Sequence, residues 1–177
     1  MFSTEEYVER KSAASGRGRF DYLQALVTEF QDTDSQGAKV QILANLANFS
    51  YDPINYGHLR KLNVVDLFLD MISEDDADLV KFGIGGICNL CLDKENKQII
   101  AENDGVELII KCLSSPDEET VINAITALIY LSSHSNKSET ASEDVIECMT
   151  KFQSSSNIRL RNLAVIYLQD CCGLKEK

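Results

Sequence analysis

The side chains able to do covalent or metal chemistry are few, and their spacing suits it poorly. Six cysteines and two histidines stand among 177 residues. Cys88 and Cys91 form a Cys-x-x-Cys pair, the spacing of half a zinc site or of a redox couple. No second pair and no histidine lies at zinc-finger distance, and both thiols fall inside a helical pattern. Cys171 and Cys172 are adjacent, which is poor geometry for a disulfide. A buried cysteine behaves as a small hydrophobe, so no metal site is expected. Free thiols fit a reducing compartment. His58 and His134 sit in unrelated segments, without a nucleophile or an orienting acid in context. Gly83-x-Gly85-Gly86 resembles part of a phosphate loop, yet it lacks a preceding strand and a following Lys-Ser/Thr. Glycines inside a helix instead let another backbone come close. Neither catalysis nor a cofactor is expected.

Surface charge is the next resource. Seventeen basic against twenty-eight acidic side chains give a net charge of -11. Phosphate contacts supply most of a nucleic-acid binder's affinity, so this balance argues against direct RNA or DNA binding. Asp66, Asp70, Glu74, Asp75, Asp76 and Asp78 cluster with no basic residue among them. They make either a solvated face or a docking surface for a basic partner. No apolar run approaches the about 18 residues that cross a bilayer. The opening MFSTEEYVERK lacks the apolar stretch of a signal peptide, so an intracellular protein is expected.

The elements that must carry this surface are set by a repeat. A shift of 41 residues brings Asn48 onto Asn89, Asp52 onto Asp93, Asn55 onto Asn96, Val65 onto Val106 and Leu67 onto Leu108. One period later Val80 falls on Val121, Ile84 on Ile125 and Leu90 on Leu131. A helical period near 40 belongs to stacked arrays whose units bury their apolar faces on one another. Asp52-Pro53 is an N-cap followed by proline, opening a short helix toward Leu62, and Asp93 opens its equivalent. Second helices are predicted from about Val64 and Val106. Longer third helices are predicted over about Ala38 to Phe49, Ala77 to Cys91, Glu118 to Ser132 and Ile158 to Cys172. In these, Val80, Ile84, Ile87 and Cys91 form one buried stripe, repeated by Val121, Ile125 and Leu128. Asp78, Phe82, Gly85 and Asn89 fall on the opposite side, and Glu119, Asn123, Thr126 and Tyr130 repeat that row. The row is either an exposed helix face and nothing more, or a binding face.

Cys88-Asn89-Leu90, Asn96-Lys97, Gly105-Val106-Glu107-Leu108, Leu113-Ser114-Ser115 and Ala127-Leu128 together resemble the armadillo-repeat consensus through one whole period. The resemblance extends over about residues 20–172. It implies an all-α, right-handed armadillo-type superhelix of about four stacked helical repeats. The expected organisation is a flexible N-terminal arm at 1–19, a solenoid at 20–172 and a short tail at 173–177. An array end that exposes apolar surface would favour a stable partner.

In that family the third helices line a concave groove, where an asparagine near each helix end holds a bound peptide backbone. The resemblance maps this ladder onto Asn48, Asn89, Tyr130 and Tyr167, with Phe82 and Asn123 beside it as groove residues. An asparagine amide both donates and accepts, so it can bridge an extended chain. Importin-α-type grooves place a tryptophan one turn before each asparagine. Here those positions read Ala44, Gly85, Thr126 and Leu163, so nuclear-signal recognition of that kind is not expected. A narrower likeness within the family implies a non-enzymatic, nuclear scaffold of the minor spliceosome. The same likeness implies that the scaffold supports splicing of minor-class introns through an RNA-recognition-motif protein, RNA-binding motif protein 48, with an indirect RNA contact expected. The alternative is a catenin-type cytoplasmic adaptor that binds peptides in the same groove.

Overall fold

The protein is described by a computed structural model over residues 2–133 and 135–174, and for residues 11–15 by the backbone alone. His134 and residues 175–177 of the expected tail lie outside the described residues. Among the described residues every regular element is a helix. Helices α1 (Glu5–Ser15), α2 (Arg19–Asp32) and α3 (Gln36–Ser50) make the first unit. The second holds a 3-10 turn at Pro53–Asn55 leading into α4 (Tyr56–Lys61), then α5 (Val64–Met71) and α6 (Ala77–Leu90). The third holds α7 (Lys94–Glu102), α8 (Gly105–Lys111) with a closing 3-10 turn at Cys112–Ser114, and α9 (Glu118–Leu131). The fourth holds α10 (Lys137–Thr140), α11 (Glu143–Phe152) and α12 (Ile158–Asp170).

Each third helix starts where a short polar side chain caps it. Ser35, Asp76, Asp117 and Asn157 accept hydrogen bonds from the first free N–H groups of α3, α6, α9 and α12. The caps stand 41, 41 and 40 residues apart. The bend from first to second helix is made by Asn63 and Asp104, both at φ 54°, a left-handed conformation that short polar side chains tolerate. The far ends of α3, α6 and α9 are closed by Asn55, Asn96 and Asn136. Their Nδ2 groups donate to the carbonyls of Phe49, Leu90 and Leu131 at 2.8, 3.2 and 3.0 Å.

The third helices stack in the order α3, α6, α9, α12, and α5 and α11 pack on the third helices of their own units. Ile84, Ile87, Cys91, Val121, Ile125 and Leu128 of the expected stripe are buried, while Val80 is half-buried and Leu79 takes its place in the core. Gly86 is required by packing: a Cβ there would run into the ring of Phe68. One stretch carries more structure than expected. The 1–19 arm contains α1, opened by Thr4, whose hydroxyl accepts from the Tyr7 N–H. The outer side of α12 is also less apolar than a plain array end. Asn162 and Gln169 stand where α9 has Ile122 and Ile129, counted from the caps, and only Ile158 and Ile166 are large and exposed there.

Candidate functional site

Counting from the four caps defines the face presented by the third helices. The thirteenth residue after each cap is Asn48, Asn89, Tyr130 and Asp170. Tyr167 therefore leaves the row. It is fully buried, and its hydroxyl donates to the Thr140 carbonyl at 2.7 Å. The last unit is one residue shorter before its cap, and a matching tyrosine three residues early conceals the change. The same count moves the position one turn earlier from Leu163 to Ile166, which is exposed. Tryptophan is absent from that row in either register.

The remaining row residues share the face but differ in freedom. Asn48 is exposed. Asn89 is half-buried, and its Nδ2 donates to the Ala47 carbonyl at 3.1 Å, tying α6 to α3. Its own carbonyl accepts from the Tyr56 hydroxyl at 3.0 Å. Phe82 and Asn123 are half-buried. The Asn123 amide lies against Gly85 of the preceding unit, where a Cβ would sit 3.7 Å from it. Tyr130 is 45% exposed, and the Lys97 ammonium lies 5.9 Å from its ring centroid. A cavity of about 810 Å³ opens beside it, walled by Lys94, Lys97, Tyr130, Ser132 and Asn136.

The two rims of this face have different chemistry. Along the capped rim, successive third helices are joined by polar side chains. Gln36 donates to Asp76 at 2.9 Å, Lys81 pairs with Asp117 at 3.3 Å, Asn157 donates to Glu118 at 2.8 Å and Arg159 pairs with Glu119 at 3.1 Å. The Gln36 amide holds the Asp76 carboxyl below the usual carboxylate range, and the Thr120 N–H does the same for Asp117. Of the acidic cluster, Asp70, Glu74, Asp75 and Asp78 are exposed, Asp66 is half-buried and Asp76 serves as the cap. The opposite rim is apolar. Tyr51 is 59% and Leu92 is 52% exposed, at equivalent places in successive units. Tyrosine and leucine differ in type, so a match of identical residues at the 41-residue shift does not show this pair, although the shift contains it.

Burial pushes the Cys88 thiol up to about 11 and the Cys91 thiol up to about 12, so neither offers a thiolate at neutral pH. Among the described residues no group of three or more His, Cys, Asp or Glu side chains could hold a metal ion.

Residues 93–133 match the family model for the Armadillo/beta-catenin-like repeat. Over 158 residues the chain is 60% identical to mouse Armadillo repeat-containing protein 7, covering 88% of this chain and 80% of that protein. The chain belongs to the armadillo-repeat family. It is also 30% identical over 86 residues to rat Junction plakoglobin, covering 47% of this chain and 12% of that much longer protein. Among solved structures, a designed armadillo repeat protein in complex with the peptide (KR)4 superposes with a TM-score of 0.74 at 18% identity, covering 94% of this chain and 68% of that one. Its backbone likeness establishes the armadillo fold. The array is an armadillo-repeat scaffold, and proteins of this family bind peptides or proteins.

Proposed function

We propose that the chain is a non-enzymatic, nuclear scaffold of the minor spliceosome that supports splicing of minor-class introns by holding RNA-binding motif protein 48. The observation that carries this reading is the 60% identity to Armadillo repeat-containing protein 7 across most of both chains. The partner's RNA-recognition motif contacts the RNA, and this acidic chain, with a net charge of -11, braces the partner. The third-helix face receives an extended, basic segment of the partner. Phe82 and Tyr130 supply apolar contact there, while Asp78 and exposed carboxylates of the capped rim supply the charge. The designed relative's complex with a Lys-Arg peptide supports that choice of charge. Asn89 is a poorer probe of this face than its place in the row suggests, because its amide also ties α6 to α3.

Affinity purification of the tagged chain, with identification of bound proteins and RNAs, tests the assignment. Recovery of minor-class small nuclear RNAs that leave with the partner at moderate salt is expected. RNA that persists after the partner has been stripped away overturns the indirect contact. The 30% identity to Junction plakoglobin favours the second reading, a cytoplasmic peptide adaptor of catenin type. Cytosolic or junctional partners in the same purification, without small nuclear RNAs, would select it.

A further inference from the structure

The junctions between the first two units and between the next two are built from the same positions and closed differently. At the later junction Asp93 and Asn96 are held by one guanidinium. Arg60 donates to the Asp93 carboxylate at 2.6 Å and to the Asn96 carbonyl oxygen at 2.9 Å, and its other nitrogen lies 3.0 Å from Glu95. Moving each residue back by 41 positions gives Asp52, Asn55 and Arg19. All three side-chain types are present, yet among the described residues Arg19 makes no hydrogen bond or ion pair to Asp52 or Asn55 and acts on the Asp52 carboxylate only through its charge at longer range. The Arg19 guanidinium lies 5.0 Å from the ring centroid of Phe49 instead. Asn55 donates to Phe49 as its counterpart does to Leu90, but its Oδ1 is buried without a hydrogen-bond partner among the described residues. Leaving such an acceptor unpaired costs about 1–3 kcal/mol.

The place of the missing clamp is taken by the chain's own N-terminal residues. The Ser3 N–H donates to Asp52 Oδ2 at 2.9 Å, and the Phe2 ring lies 5.5 Å from that of Tyr51. Beyond these contacts, Val8 is the one side chain of α1 that is buried among those described. Among the described residues, Phe2 and Ser3 thus meet Tyr51 and Asp52 through a ring contact and a main-chain hydrogen bond. Tyr51 and Asp52 therefore form a notch already shaped for an extended segment that brings an aromatic side chain and a main-chain N–H.

We propose that the Tyr51–Asp52 notch is a docking station for an extended, aromatic-bearing partner segment, that Phe2 and Ser3 occupy it in cis as a strap, and that Arg19 closes onto Asp52 and Asn55 when the notch empties. This rests on the partner-scaffold reading but uses the apolar rim at the first junction, apart from Phe82 and Tyr130. The strap acts as a pseudo-ligand. A partner segment gains the notch by displacing it, and the spare positions of Asn55 and Arg19 lower the cost of the vacant state.

Ser3→Pro in the full chain tests the proposal, because proline removes the N–H that reaches Asp52. In that variant the guanidinium has moved, so adding Arg19→Ala lowers the melting temperature by at least about 2 °C more than Arg19→Ala does in the parent. A synthetic peptide of residues 1–15 shifts the amide resonances of Tyr51, Asp52 and Arg19 in the Ser3→Pro chain. It shifts them at least about tenfold less in the parent, where the tethered copy competes at high effective concentration. Equal costs of Arg19→Ala in the two backgrounds overturn the closing role of Arg19. A peptide that shifts neither chain, or both alike, overturns the docking station. Phe82→Ala and Tyr130→Ala leave the peptide response unchanged, so failure here is distinguishable from failure of the groove reading.

Discussion

The two rims of the third-helix face spend their side chains in opposite ways. On the capped rim, Asp76 and Asp117 serve both as caps and as partners of Gln36 and Lys81, so the groups that start one helix also hold it to its neighbour. On the opposite rim the internal hydrogen bonding is done by Asn55, Asn96 and Asn136, set into the array. Tyr51 and Leu92 are left exposed outside it, beside the exposed Tyr130 that ends the row on the face. Capping and tying consume polar groups. Where inset asparagines already close the helix ends, the exposed positions are released from that work. Substitutions on the capped rim and among the closing asparagines should therefore cost stability, and those at the exposed aromatics should cost binding.

The strongest contrast comes from the core that carries both rims. Ile125 is fully buried in the stacking stripe, and Ile125→Ala should lower stability by about 2–5 kcal/mol through a cavity, seen as an early thermal melt. Asn96→Ala comes next. It removes two hydrogen bonds, one to the Leu90 carbonyl, which keeps that from the Asp93 N–H, and one from Arg60; at about 0.5–1.5 kcal/mol each the expected loss is about 1–3 kcal/mol in urea unfolding. A loss within 0.5 kcal/mol of zero, the range of about ±0.5 typical of plain surface changes, would break the claim that this rim is closed from inside.

On the capped rim Asp117→Ala should cost about 1 kcal/mol as a lost N-cap. Acid gives the same comparison a second axis. The folded-state values of Asp76 and Asp117 are depressed below the ordinary 3.8, so their contribution is present above that value. It is lost as pH falls through the lower folded values. Melting temperature should decline from just above pH 3.8 downward, and the decline should be shallower in Asp117→Asn. The smallest stability effect belongs to Tyr130→Ala, within about ±0.5 kcal/mol, although its partner affinity should fall several-fold in a binding titration. Early melting of Tyr130→Ala with unchanged affinity would reverse the assignment of the two rims.

Much of this arrangement is legible from the 41-residue shift alone. Asp52 and Asp93, Asn55 and Asn96, and Ile84 and Ile125 keep their roles because caps, closures and core positions recur with the unit. The misplacement of Tyr167 has an equally plain cause. A type match at 37 residues competes with a position match at 40, and only the cap at Asn157 decides between them. The ties from Gln36 to Asp76 and from Glu119 to Arg159 are pairs 40 apart and could have been found by reading charge and amide at the repeat period. The seating of Phe2 and Ser3 on Tyr51 and Asp52 has no counterpart in the repeat, so periodicity could not have shown it.

The meeting of Gly86 with the ring of Phe68 bears on how interchangeable the units are. Ten residues after their caps, α6 has Gly86, α9 has Ala127 and α12 has Tyr167, all buried. In the second unit the volume comes from α5, whose Phe68 ring fills the space against Gly86, while in the fourth α12 brings its own ring. The chain is thus periodic in position and aperiodic in bulk. A chimera that transplants α12 into the place of α6 would set two rings in one slot, and the reverse graft would leave a void where Tyr167 stands. The smallest transferable module is therefore a second helix together with its third, and a lineage that duplicated single helices would have to revise both partners before either copy could fold.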